Sequence, residues 1–267
     1  MNKAAFFSLS AAALVTLAAC YTNPVTGRQS LVLVQPSEEI ALGAQSFDQI
    51  RAEEKVSNDP RLNERVRRVG QRIASVVGED MPNAQWEFVV FESKDANAFA
   101  LPGGKVGVYT GLLNLVSSDD ELASVIGHEI GHVIARHGAE RMSEQMVIQG
   151  LGSIGTALAQ TKYSPQAVQM AQMAYGAGTT VLRVLPHSRS NESEADRMGL
   201  IFAARAGYNP EAAITFWQKM AQQRAGTPGA LEKFLSTHPA NEERIADLRA
   251  MMPEVLPIYQ ENRGRVQ

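Results

Sequence analysis

Apolar positions recur with helical spacing over most of this chain, interrupted once by a stretch of shorter period. Pro36-Ser37-Glu38-Glu39 offers an N-cap and an acidic first turn for a helix reaching about Glu54. Asp59-Pro60 opens a second helix, in which Leu62, Val66, Val69, Ile73 and Val76 form one stripe. The pattern then changes. Gln85 to Phe91, rich in Trp, Phe and Val, and Lys105 to Thr110, which follows the turn Pro102-Gly103-Gly104, read as strands of a small sheet. Ser118-Asp119-Asp120-Glu121 fits a capping box launching a helix through Leu122, Val125, Ile126, Ile130 and Val133. Arg141 to Leu185, with scattered glycines and with Met142, Met146, Met170 and Met173, predicts an amphipathic helical hairpin whose methionines fill gaps in a core. Further helices are expected from about Ser190 to Ala206, from Asn209-Pro210 and from near Asn241, with Gln260 to Gln267 as a mobile tail. The fold class these elements predict is α+β, mainly α-helical, with a small β-sheet beside the helix that begins at Ser118.

The N-terminus has a different character. Lys3 precedes an apolar stretch from Ala4 to Ala19, the arrangement of a secretory signal and too short to favour a spanning helix. Leu17-Ala18-Ala19-Cys20 resembles the bacterial lipobox, which makes Cys20 the expected lipidated first residue after removal of residues 1–19. The expected organisation is then a lipid-anchored tether over 20–36, one domain over 37–252 and a tail over 253–267. Tyr21 stands where an Asp would resemble an inner-membrane retention signal, so the periplasmic face of the outer membrane is the expected location.

Composition narrows the chemistry. With 267 residues, 45% of them apolar, the chain is long enough to bury a core. Lys plus Arg total 25 against 28 Asp plus Glu, a formal charge of -3, which excludes nucleic acid as a main partner. Cys20 is the single cysteine, so neither a disulfide framework nor a thiolate metal cluster can be built within the chain. Any metal must take histidine and carboxylate.

His128-Glu129-Ile130-Gly131-His132 lies within the helix that starts at Ser118. Residues four apart project from one helical face, so both imidazoles can grip one tetrahedral ion, and Glu129 is placed to act as general base toward an attacking water. Two unpaired histidines on a buried helix would be costly, which favours a metal. A third ligand is needed. His137, five residues beyond His132, points away from that face. In Asn191-Glu192-Ser193-Glu194-Ala195-Asp196, Glu192 and Asp196 are one turn apart on one face, and Glu194 is on the other. Glu192 is therefore the expected ligand, Asp196 the acceptor that fixes a liganding histidine, expected to be His128, and Glu194 solvated.

Taken together, the His-Glu-Ile-Gly-His helix, Glu-Ser-Glu-Ala-Asp followed by Gly199, the stretch Asn97 to Gly104 and His238-Pro239 resemble the CAAX-prenyl-protease-like zinc metallopeptidases. The chain looks most like their soluble lipoprotein branch, relatives of the mitochondrial inner-membrane quality-control protease, and the resemblance covers roughly residues 24 to 250. It implies a gluzincin-like domain with one Zn2+ and the first Glu of Glu-x-x-Ala-Asp as third ligand. It also implies that Asn97, Ala98, Phe99 and Ala100 form an edge strand against which an extended peptide lies. His238 would lie near the metal, either stabilising the oxyanion or occupying the open coordination position. Arg189 precedes Glu192 closely enough to orient it, with a surface salt bridge the equal alternative, and His187 stands where the family commonly has an aromatic hydroxyl. Arg244, read as two turns into the last helix, is expected to pair with an acid and to have no catalytic role. The expected activity is zinc-dependent endopeptidic cleavage of unfolded or misassembled envelope proteins in the periplasm. A chaperone-like binding module for outer-membrane proteins, with incidental proteolysis, is the alternative, and a zinc hydrolase of non-peptide substrates ranks last.

Overall fold

The computed structural model describes residues 20–78, 80–81, 83–160, 169, 185–223, 229 and 231–266. The expected leader and, but for residue 169, the 161–184 part of the expected hairpin lie outside the described residues. In chain order the elements are β1 (Cys20–Thr22), β2 (Gln29–Leu31), α1 (Pro36–Glu53), α2 (Pro60–Val76), β3 (Glu87–Phe91), β4 (Ala98–Leu101), β5 (Lys105–Tyr109), the short α3 (Thr110–Leu113), α4 (Asp119–Ile134), α5 (His137–Gln160), α6 (Leu185–Arg205), α7 (Glu211–Gln223), α8 (Glu232–Thr237) and α9 (Glu242–Asn262), closed by a 3₁₀ turn at Arg263–Val266. The molecule is α+β and mainly helical. Among the described residues no helix is long and apolar enough to cross a membrane.

Contacts divide the chain into two units, Met1–Gln35 with Arg136–Asn191 and Pro36–Ala135 with Glu192–Gln267. In the first, β1 and β2 pair antiparallel, Cys20 opposite Leu31. The connection is set by Asn23, whose side-chain oxygen accepts from the Val25 and Thr26 amides, and by Gly27 at φ 74°, a conformation glycine adopts without a Cβ penalty. Arg28 forks onto Glu140 of α5 with two bonds of 2.8 Å, and Asn191 Nδ2 donates to the same carboxylate at 3.2 Å. The Leu33 amide donates to Ser143 Oγ, and Val32, Val34 and Ala139 form a small core. Residues 20–34, read from the sequence as a tether, are thus folded onto α5: the apolar run there has a helix to bury against.

The second unit holds a three-stranded sheet in the order β3-β5-β4, with β5 parallel to β3 and antiparallel to β4. The Tyr109 amide donates to the Asn97 carbonyl, and in an antiparallel ladder bonded and non-bonded pairs alternate. Phe99 and Leu101 therefore turn their main-chain groups toward β5, while Ala98 and Ala100 turn theirs away from it. Phe99 packs with Phe47, Phe91 and Tyr109 into an aromatic core between α1 and the sheet. β4, the edge strand, also lies against α4.

Helix α4 is capped by Ser118, whose hydroxyl accepts the Glu121 amide. It is buried along nearly its whole length, Glu121 to Gly131 without a break. Such a helix needs a neighbour that comes very close. A Cβ at Gly199 of α6 would stand 2.7 Å from the His128 amide nitrogen, and one at Gly131 would stand 3.1 Å from the Ala195 carbonyl oxygen. The two helices touch backbone to backbone through small residues, which sets the separation of the motifs they carry.

The C-terminal stretch is a correction to the sequence reading. Instead of a tail from 253, α9 runs on to Asn262 through Pro253 and Pro257. Its buried stripe continues from Leu248 and Met252 to Val255, and that apolar anchor outweighs the hydrogen bonds the prolines forfeit.

Candidate metal centre

The helical face that α4 turns toward α6 carries His128 and His132 one turn apart, their rings 4.6 Å between centroids and 87° between planes. Glu192 enters from α6, and His238 stands at the C-terminal end of α8, where its amide bonds the Phe234 carbonyl. His128 Nε2 lies 3.1 Å from His132 Nε2 and 3.1 Å from His238 Nδ1. Glu192 Oε1 is 3.1 Å from His132 Nε2, and Oε2 is 2.9 Å from His238 Nδ1 and 3.4 Å from His128 Nε2. All four residues offer ligand atoms within 4.8 Å of one another, and among the described residues they are the group able to hold a metal ion. A tetrahedron with arms of about 2.0–2.1 Å has edges of about 3.3 Å. The separations match that edge, so this donor set fits zinc.

Behind the donors the ring of His128 is held by Asp196, whose Oδ1 lies 2.9 Å from Nδ1. Nδ1 therefore carries the proton and Nε2 faces the other donors. Burial disfavours a charged His128, but the hydrogen bonds and charges of Asp196 and Glu192 outweigh it and push its pKa up to about 9. Burial likewise raises the Glu192 carboxyl, and bonds to the three histidines overcome this and hold it far below the carboxylate range. Two carboxylates, Glu192 and Asp196, converge on the histidines, so the field at this point favours positive charge.

Glu129 is buried beside His128. Its Oε1 makes no hydrogen bond among the described residues, with His238 Nε2 at 3.4 Å. Burial raises its pKa, against the opposing charges of His238 and His128. An orphaned carboxylate oxygen aimed into a polar site, with affinity for protons raised, suits a group that takes and returns a proton.

The fold thus gathers His128, Glu129, His132, Glu192, Asp196 and His238 into one place in the second unit. Asn97 to Ala100 lie along the edge of the sheet, beside α4. Two expectations are corrected. Glu194 is buried, because α6 is enclosed on all sides from Glu194 to Asp196 and Met198 to Ala204. Arg244 is the third residue of α9 rather than two turns into it, its amide capped by Asn241; it does pair with an acid, Asp196, as expected, and its side chain reaches the centre. The sequence carried a signal for it: Arg244 stands on the buried stripe of Leu248, Met252 and Val255, where a cation demands a buried acid. Arg189 is exposed, and the His187 side chain lies outside the described residues.

A His-Glu-x-x-His helix and a carboxylate from a later helix, beside an edge strand in an α+β fold, define a zinc metallopeptidase domain of the gluzincin kind. Comparison with known proteins places it further: the chain belongs to peptidase family M48, whose pattern matches residues 60–252. It is 35% identical over 189 residues to mitochondrial metalloendopeptidase OMA1 of Schizosaccharomyces pombe, covering 71% of this chain and 52% of that protein. Against the Arabidopsis thaliana protein of the same name it is 39% identical over 178 residues, 66% of this chain and 34% of the other. With the beta-barrel assembly-enhancing protease of Escherichia coli it shares 32% over 243 residues, 89% of this chain and 48% of that one. The chain spans about half or less of the length of these relatives.

Proposed function

We propose that this chain is a zinc metalloendopeptidase of the soluble lipoprotein branch of its family, cleaving unfolded or misassembled envelope proteins as periplasmic quality control. Lipid on Cys20 would hold it to the periplasmic face of the outer membrane. The observation that carries the reading is the set of four donors with the Glu129 oxygen that lacks a hydrogen bond, beside the edge strand of the sheet. The name of the Escherichia coli relative, which speaks of β-barrel assembly, supports envelope proteins as substrates.

His128, His132 and Glu192 hold the ion, and Asp196 keeps His128 in the tautomer that presents Nε2. Zinc, when bound, supplies Lewis acidity that polarises the scissile carbonyl and eases the deprotonation of water. Ala98 and Ala100 offer their outward amides and carbonyls to an extended substrate, which takes the place of a fourth strand and is held whatever its side chains. Glu129 Oε1 accepts the proton of the attacking water and delivers it to the nitrogen of the leaving amine. The place of His238 Nδ1 among the donors supports the second of its two roles, a fourth ligand that closes the site until it withdraws.

The test is cleavage of an unfolded casein by the chain from Cys20 with Cys20→Ser, beside Glu129→Gln and a chelator control. Cleavage lost in both controls is expected. Cleavage that survives Glu129→Gln would overturn the reading.

A further inference from the structure

One buried cation beside the donors is not used by the chemistry above. Arg244 is 7% exposed, and a guanidinium is brought into such a place at a cost of several kcal/mol unless its donors are well matched. They are matched unusually fully. Nη2 and Nε fork onto the two oxygens of Asp196 at 2.6 and 2.8 Å. Nη1 donates to the carbonyl of Pro239, the residue after His238, at 3.3 Å, and lies 3.3 Å from Glu192 Oε2. The planar group lies over the indole of Trp217, with Cζ 3.5 Å from the ring centroid. Trp217 stacks on Phe234 at 7°, and Phe234 meets the His238 ring at 5.0 Å between centroids.

Neutralising Asp196 would need only one cation of any shape. What the arrangement adds is connection. A single rigid plane touches the acceptor that orients His128, a donor carboxylate, and the turn that presents His238. A lysine could supply the charge but neither the fork nor the flat face that lies on the indole.

We infer that Arg244 is a positioning residue of the metal centre, its guanidinium locking Asp196, Glu192 and the His238-Pro239 turn into the one arrangement in which their donors converge. The inference rests on the reading of the site as a zinc centre. It makes zinc affinity and ligand geometry, rather than stability alone, depend on the shape of a side chain that binds no metal itself.

The experiment uses the full chain, wild type beside Arg244→Lys, with zinc affinity measured by competition against a chromophoric chelator and ligand geometry read from the visible spectrum of the Co(II) form. Circular dichroism of the metal-free proteins checks folding. Arg244→Lys is expected to bind zinc about 10–100-fold more weakly, the range seen when partners behind metal ligands are lost, and to shift the Co(II) bands. Trp217→Leu leaves every charge in place but removes the face that holds the guanidinium flat; it should shift the same bands, and it serves if Arg244→Lys does not fold. Wild-type affinity and an unshifted Co(II) spectrum in a folded variant, even one with a lower melting temperature, overturn the inference while leaving the zinc centre intact. A wild-type chain that takes up no zinc overturns both.

Discussion

Glu129 sits where burial and function pull in opposite directions. A carboxylate oxygen without a hydrogen bond is destabilising in the native state, and its proton affinity is raised for the same reason. Glu129→Gln keeps the shape and removes the proton carrier, so it should lower kcat by about 10²–10⁴ with zinc content, read by metal analysis, unchanged. His238 poses a sharper choice. As a fourth donor it holds the site closed, and His238→Ala should then loosen zinc retention and raise basal casein cleavage. A fall of about a hundredfold in kcat with zinc affinity unchanged would assign it to the oxyanion instead.

At the scale of elements, the distance between α4 and α6 decides whether the donors converge. The contact at Gly199 is with the backbone of Gly127 and His128, which cannot step aside as a flexible side chain could. Gly199→Ala must part the helices; a loss of about 1–3 kcal/mol in denaturant unfolding and weaker zinc binding are expected together, whereas a stability loss with full zinc affinity would show that the helices need not touch. The sheet edge has its own test. Because the amide of Ala100 points away from β5, Ala100→Pro removes a bond offered to substrate without breaking the ladder. KM for an unfolded protein should rise severalfold, the worth of one main-chain hydrogen bond, while the Co(II) spectrum stays as it is.

On the scale of the whole molecule the two units differ in what holds them. The second has an aromatic core and buried helices; the first, in its described part, has the small core of Val32, Val34 and Ala139 with Tyr21 and Met142 against it, the bonds of Leu33 to Ser143 and of Arg136 to Val34, and the Arg28–Glu140 fork. Burial alone would raise the Glu140 carboxyl, but the bonds and charge of Arg28, with His137 and Asn191, outweigh it and leave its pKa lowered in the fold. A carboxyl lowered by folding stabilises the native state above its ordinary pKa, and that contribution is lost as pH falls through the lowered value. Hydrogen exchange should therefore show the β1–β2 hairpin losing protection below the usual carboxylate range, before the sheet of the second unit does. Glu140→Gln should remove that acid dependence and cost about 1–3 kcal/mol of hairpin protection. An acid transition unchanged in this variant would place its origin elsewhere.

The sequence by itself determined what is decided among near neighbours. Ser118, Asp59 and Asn241 cap the helices they precede, β3 and β5 fall where β-formers cluster, and His128 and His132 share a face because four residues make about one turn. Glu192 and Asp196 were legible in the same way, as a spacing. The tertiary structure alone decided how such local pieces meet. Arg244 lies 48 residues from Asp196, and His238 lies 110 from His128; no period joins them. Glu194 reads as solvated and the end of the last helix, from 253, as a tail because local pattern reports which face of an element is apolar, not how many faces its neighbours cover. The donors converge because α4 and α6 approach closely enough for their backbones to touch, and that approach depends on the packing of the whole unit.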